Sequence, residues 1–187
     1  MTANAERQAE KRDRILAAAK ILFLRNGLRA TTMEAIARAA QIAKPTLYAH
    51  FSDKQAVFEG LLAQLVIEKH AAFDAALARD GSVIERIGRV LIAKFGVISL
   101  TVAGSAHAEE LFAAHHLGAD LFAKSDAEIA AKLTAHLVEA GAENADHLTW
   151  LLLAAAKGVA EAGLMQSGLK RDLQLLTDRL VRPALPG

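Results

Sequence analysis

Apolar residues recur along this chain with the period of an α-helix. Ile15, Ala19, Leu22 and Phe23 fall at i, i+4, i+7 and i+8, and Asn26-Gly27 follows as a stop, since glycine takes the left-handed C′ conformation cheaply. Thr31-Thr32-Met33-Glu34 reads as a capping box, with Thr31 accepting from the N–H three residues on and Glu34 reaching back. A short helix then turns Ile36, Ala39 and Ala40 inward, Gln41-Ile42-Ala43 interrupts it, and Pro45 suits the first turn of the next helix. Ser52-Asp53-Lys54-Gln55 reads as a second capping box, opening a long helix with Val57, Phe58, Leu61, Leu65 and Phe73 on its stripe.

Asp80-Gly81 ends that helix, and a third box, Ser82-Val83-Ile84-Glu85, starts one carrying Ile84, Ile87, Val90, Leu91 and Phe95. Gly96, Thr101 and Gly104 are expected to loosen the chain before a helix with Leu111 and Phe112 that Gly118 closes. Phe122, Ile129, Leu133 and Leu137 mark a further helix up to Gly141. Beyond Asn144 comes one with a nearly continuous apolar run, and after Gly168 a last one with Leu169, Leu173, Leu176 and Leu180, ended by Pro183. No stretch alternates like a strand, so the pattern predicts an all-α protein of about nine helices.

Two short helices across a three- or four-residue break form a helix-turn-helix, in which the second helix enters the DNA major groove. Small residues (Ala39, Ala40, Ala43) let the helices cross closely, Ile36, Ile42 and Leu47 supply the shared core, and Lys44, Thr46, Tyr48 and His50 are left outward. Charge changes the picture in the same direction. Of the 22 Lys/Arg and 21 Asp/Glu, residues 1–60 hold ten basic and six acidic, so the excess positive charge sits at the end carrying this motif.

The run Thr32-Met33-Glu34-Ala35-Ile36-Ala37-Arg38-Ala39-Ala40, followed by Lys44-Pro45-Thr46-Leu47-Tyr48-Ala49-His50-Phe51-Ser52-Asp53-Lys54, resembles the DNA-binding domain of the TetR family of bacterial transcriptional repressors. The likeness covers roughly residues 10 to 60. It implies a helix-turn-helix domain over residues 1–56, with its motif at about 32–51, and a larger helical ligand-binding and dimerisation domain over 57–187. It also implies a homodimer, a palindromic double-stranded DNA operator and a small-molecule effector. Thr32, Lys44, Pro45, Thr46, Tyr48, His50 and Lys54 are the implied DNA-contacting positions. Chemistry assigns Thr32, Tyr48, His50 and Lys54 to phosphates, and Lys44 and Thr46 to base edges; Phe51 packs inward. Two departures stand out. Gln41 occupies a turn position where many relatives have glycine, and is expected to hold a positive φ; Ala43 forgoes a side-chain cap.

Composition narrows the other classes. With no cysteine there is no disulfide, thiolate metal site or cysteine nucleophile. MTANAERQAEKRDR lacks the apolar core of a secretory signal, and the run Leu148 to Val159 is shorter than the about 20 residues a bilayer needs, so a cytoplasmic protein is expected. No Gly-rich phosphate loop or nucleophile elbow is visible, so no enzyme and no cofactor are expected. His107/Glu110 and His136/Glu139 at i, i+3, with His115 and His116, raise the alternative of a metal-responsive regulator, but the order is the reverse of the bundle metal motif and no metal is assigned. A non-enzymatic helical interaction module is the remaining alternative.

Residues 148 to 160 are apolar at nearly every azimuth, so that helix needs cover on two sides. With the leucine seam of the last helix, this predicts a dimer interface of two helices per chain, formed by Leu152, Ala155, Ala156, Val159, Leu169, Leu173, Leu176 and Leu180. For an effector pocket among the middle helices the candidates are His70, Phe73, Phe95, His107, Phe112, Phe122, His136 and Trp150, which suit a small, mainly apolar organic molecule.

Overall fold

Residues 3–102, 104–162 and 168–186 are described in a computed structural model of the chain. Nine α-helices run along them with no strand among the described residues: α1 (Ala3–Ala30), α2 (Met33–Ala39), α3 (Lys44–His50), α4 (Lys54–Ala78), α5 (Val83–Val102), α6 (Ala108–Ala113), α7 (Ala119–Glu139), α8 (Ala145–Ala162) and α9 (Leu169–Val181). Gly27, at φ 81°, breaks the helical path inside α1 where the sequence predicts a stop.

Two compact units are present. One takes Met1–Gln64 and Val102–Ala119, the other Leu65–Thr101 and Asp120–Gly187. The first unit is therefore larger than the 1–56 stretch read from the sequence. Its later segment is tied to α1 by hydrogen bonds: Ser105 Oγ donates to the Leu24 carbonyl at 2.6 Å, and the Arg29 N–H donates to Glu110 Oε1 at 2.8 Å. The core of this unit is built from Ile15, Ala19 and Phe23 of α1, Ile36 of α2, Leu47 of α3 and Val57 and Phe58 of α4. Phe23 and Phe58 meet edge to face, with ring centroids 5.7 Å apart.

In the second unit Phe73, Ile87, Leu91, Ile129, Leu133, Leu137, Leu152, Ala156 and Leu173 form one buried cluster drawn from α4, α5, α7, α8 and α9. α4 contributes to both cores, through Val57 and Phe58 in one and Phe73 in the other. α5 continues past Gly96 to Val102 rather than loosening there, and the chain turns at Gly104, φ 78°. A helical glycine costs only about 1 kcal/mol, which an apolar helix face outweighs.

The caps differ in register from two of the three expected boxes. Thr32, not Thr31, is the N-cap of α2 and accepts from the Ala35 N–H at 3.1 Å; Thr31 is buried and donates to the Gly27 carbonyl at 2.7 Å. Asp53 rather than Ser52 accepts from the Ala56 N–H, at 2.8 Å, which holds its carboxyl below the usual range. The Ser82–Glu85 box forms reciprocally: Ser82 N–H donates to Glu85 Oε2 at 2.8 Å, and Glu85 N–H to Ser82 Oγ at 3.3 Å.

Candidate nucleic-acid interface and ligand pocket

The turn between α2 and α3 closes as a helix C-terminus with a residue in the left-handed region. Gln41 sits there at φ 55°, as expected from its place where glycine is usual. Its N–H donates to Arg38 O at 3.1 Å, and the Ile42 N–H donates to Ala37 O at 3.0 Å, the paired bonds of a Schellman ending. Arg14 adds a clamp from α1, its guanidinium donating to the Ala40 carbonyl at 2.7 Å. Sequence reasoning missed Arg14, which lies one position before the buried Ile15 and reads as ordinary surface charge.

α3 buries Leu47 completely and has no side-chain cap at Ala43. Lys44, Pro45 and Tyr48 are exposed, while Thr46 and His50 are half-buried. Phe51 packs inward beneath the Arg12 guanidinium, 4.6 Å from the ring centroid. The exposed Thr32 accepts from Ala35 and so keeps its own hydroxyl proton to donate. Lys54 donates to the Arg29 carbonyl at 2.9 Å, which uses one of its three N–H bonds on the end of α1.

Lys44 bonds to the carboxylate of Glu34 on α2 and lies 5.9 Å from the centroid of the Tyr48 ring. The hydrogen bond to Glu34, with its charge, raises the Lys44 ammonium above its ordinary pKa, and the same bond holds Glu34 below the usual carboxylate range. The face is thus a small, partly exposed patch of three hydroxyls, an imidazole and two ammonium groups on α2, α3 and the first residue of α4, with one acid already satisfied internally.

The second unit holds a pocket of about 760 Å³ walled by α5, α7 and α8. Of the pocket candidates, Phe95 and Trp150 line it; Trp150 is 63% exposed and stacks on His147. The other candidates are scattered. Phe73 is fully buried in the core and has no surface left for a ligand. His107 lies in the first unit, its Nδ1 3.8 Å from Glu110, so it is no part of this pocket. His70 Nε2 is 2.9 Å from the buried Ser125 hydroxyl, and Phe122 lies beneath the Lys69 ammonium at 5.4 Å. The side chain of Phe112 falls outside the described residues. His136 is largely buried, and burial, then the nearby Arg86 charge, lowers its pKa against the opposing pull of Glu139.

Two lysines in this unit were missed. Lys69 and Lys94 are 3% and 6% exposed, and both donate to the same oxygen of Asp126, at 2.9 and 2.5 Å. A readable clue existed: Lys94 is three residues beyond Leu91 and seven beyond Ile87, in phase with the buried stripe. Among the described residues no group of three or more His, Asp and Glu side chains is placed to hold a metal ion, and the His/Glu pairs stay pairs.

The expected dimer residues divide in two. Leu152, Ala156 and Leu173 are fully buried within the chain's own core and cannot face a partner, because the stripe that looks two-sided in sequence spends one side on α5 and α7. Ala155, Val159, Leu169, Leu176 and Leu180 are only partly buried, and Leu175 is exposed. No helix among the described residues is long and apolar enough to cross a membrane.

Residues 15–61 match the family described as bacterial regulatory proteins, tetR family. Among curated relatives, the chain is 34% identical over 102 residues to the HTH-type transcriptional regulator UidR of Escherichia coli K12, spanning 54% of this chain and 48% of that protein. It is 31% identical over 90 residues to the HTH-type transcriptional repressor KstR2 of Mycolicibacterium smegmatis, spanning 48% and 44%. The matched segments thus span about half the length of these relatives. A transcriptional regulator from Rhodococcus sp. Rha1 shares the fold at TM-score 0.66 and 20% identity, covering 92% of this chain and 95% of that one. Salmonella enterica GusR does so at 0.63 and 22%, covering 92% and 96%.

Proposed function

We infer that this chain, whose residues 15–61 are the helix-turn-helix domain of the tetR family of bacterial regulators, is a cytoplasmic transcriptional repressor that binds a palindromic operator as a homodimer and is released by a small organic effector. The observation that carries the reading is the exposed Lys44, Pro45 and Tyr48 on an α3 anchored by the buried Leu47, within the matched segment. Tyr48 and Thr32 donate through hydroxyls to phosphates, with Lys54 and His50 flanking, while Lys44 and Thr46 at the leading end of α3 meet base edges. Two copies related by a two-fold axis read half-sites about 34 Å apart, roughly one helical turn.

Ala155, Val159, Leu169, Leu176 and Leu180, with the exposed Leu175, supply the partner-facing surface of α8 and α9. The effector occupies the pocket walled by α5, α7 and α8 and favours a state of lower DNA affinity by its difference in affinity for the two states.

Selection of bound duplexes from a random pool by the purified chain tests this. A palindromic consensus is expected, with binding that weakens steeply as salt rises. Tyr48→Phe should weaken binding to every sequence alike, whereas Lys44→Ala should change the preferred base at one position of each half-site. A pool that yields no consensus, or binding insensitive to salt, rejects the reading.

A further inference from the structure

The pocket wall carries a charge arrangement that an apolar effector does not need. Lys94 is almost wholly buried yet lines the cavity, and it shares a single oxygen of Asp126 with the equally buried Lys69. Two ammonium groups, both almost wholly buried, therefore face one carboxylate that is itself half exposed, a local excess of one positive charge at the cavity wall. Lys157, also on the wall, adds repulsion toward Lys94 and has Glu161 of its own at 3.8 Å. Asp146 lines the cavity as well, in the first turn of α8. The nearby Glu128 is 3.7 Å from His70. Uncompensated buried charge is costly, and one added anion beside Lys94 relieves it.

We propose that the effector of this pocket is an organic monocarboxylate, its apolar body lying along the wall that carries Phe95, Leu153 and Trp150 and its carboxylate meeting Lys94 beside Asp126. The inference rests on the repressor reading for the word effector, but the site itself does not. Burial pushes the Lys94 ammonium below its ordinary pKa, against the pull of Asp126. Burial also works against the Asp126 carboxylate, yet hydrogen bonds and charge from Lys94 and then Lys69 outweigh it and hold that carboxyl below its ordinary value. The cations are thus the under-served partners. A single negative charge matches the excess; a dianion does not.

Trp150 is the chain's one tryptophan and stands on the cavity wall, so its fluorescence reports occupancy directly. Decanoate and 4-phenylbutyrate are titrated into the full-length chain beside their neutral primary amides. At least one carboxylate should shift Trp150 emission and bind at least tenfold more tightly than its amide. Lys94→Met should erase that preference. Asp126→Asn, which removes the internal competitor, should tighten carboxylate binding severalfold, so the two variants move in opposite directions and a misfolded Lys94→Met leaves the second test standing. Equal affinity for acid and amide, silence of Trp150 toward both acids at millimolar concentration, or weaker acid binding by Asp126→Asn overturns the proposal. DNA selection by the unliganded chain is read separately: a chain that finds a palindrome but prefers the amide keeps the repressor reading and loses this one.

Discussion

Lys44, at the leading end of α3 and proposed to read a base edge, is already bound to a carboxylate. Glu34 stands in the first turn of α2 and pairs with it across the helix crossing, so binding to DNA must either carry that negative charge along or exchange it for an acceptor on the duplex. Both ends of the pair are about half exposed, so the bond itself contributes little to stability. Its effect belongs to recognition. Glu34→Gln removes one negative charge from the face and frees one ammonium. Affinity should rise roughly threefold to tenfold for operator and random duplex alike, and the slope of log K against log salt should steepen by about one unit. Fluorescence anisotropy between 50 and 200 mM salt, as orders of magnitude for the usual range, reads both; an unchanged slope would show that Lys44 has already left Glu34 in the parent complex or gains no phosphate when freed. The sequence makes Gln41 legible because its backbone conformation depends on its neighbours alone. It misassigns Glu34, whose partner ten residues on is decided by how α2 and α3 cross.

Helices are the scale at which the chain is easiest to read, and their faults are informative. Three capping boxes share one consensus, yet only Ser82–Glu85 closes as written, since Thr31 and Ser52 each have a second oxygen-bearing residue one place later that takes the cap. Periodicity finds α8 and α9 but cannot say which apolar side meets the chain's own core; Leu152, Ala156 and Leu173 went inward. Interior glycines are equally mute, because a missing Cβ has meaning only against a neighbour. At Gly60 of α4 an added Cβ would lie 3.0 Å from Phe51 and 3.1 Å from Leu16, both buried in a packed core where a shift is costly. At Gly88 of α5 the nearest atom is Thr177 Oγ1 at 3.8 Å, an ordinary contact. Alanine gains about 1 kcal/mol over glycine in a helix, while overpacking costs about 1–3 kcal/mol. Gly88→Ala should therefore stabilise by about 0.5–1 kcal/mol and Gly60→Ala destabilise by about 1–2 kcal/mol. Urea denaturation of the two variants beside the parent chain checks the opposite signs.

Across the whole chain, what could be read before the structure follows the density of constraint. Residues 15–61 match one family pattern, which the proposed reading ties to a duplex of fixed geometry, and there the motif, the basic excess and the inward Phe51 were all legible. The second unit is constrained by its own packing, so its aromatics and histidines carry no pattern that separates wall from core: Phe95 lines the cavity while Phe73 fills the interior. His136, however, carries a prediction about pH. His136 is lowered chiefly by burial, with Arg86 adding repulsion, and its Nε2 is buried without a hydrogen-bond partner among the described residues. Because the folded chain holds this imidazole neutral at a pH where the unfolded chain would protonate it, the unfolded state takes up more protons as pH falls through the ordinary imidazole value of about 6.5. The stability it supports is complete above that value and is lost as pH drops toward the lowered folded pKa. Urea midpoints should therefore fall between pH 7.5 and pH 5.5, and His136→Leu, which neither titrates nor leaves an unpaired ring nitrogen, should fall less over the same interval. Parallel losses in the two chains would place the acid sensitivity elsewhere, with the Asp126 carboxylate excluded from that window because its pKa is shifted downward.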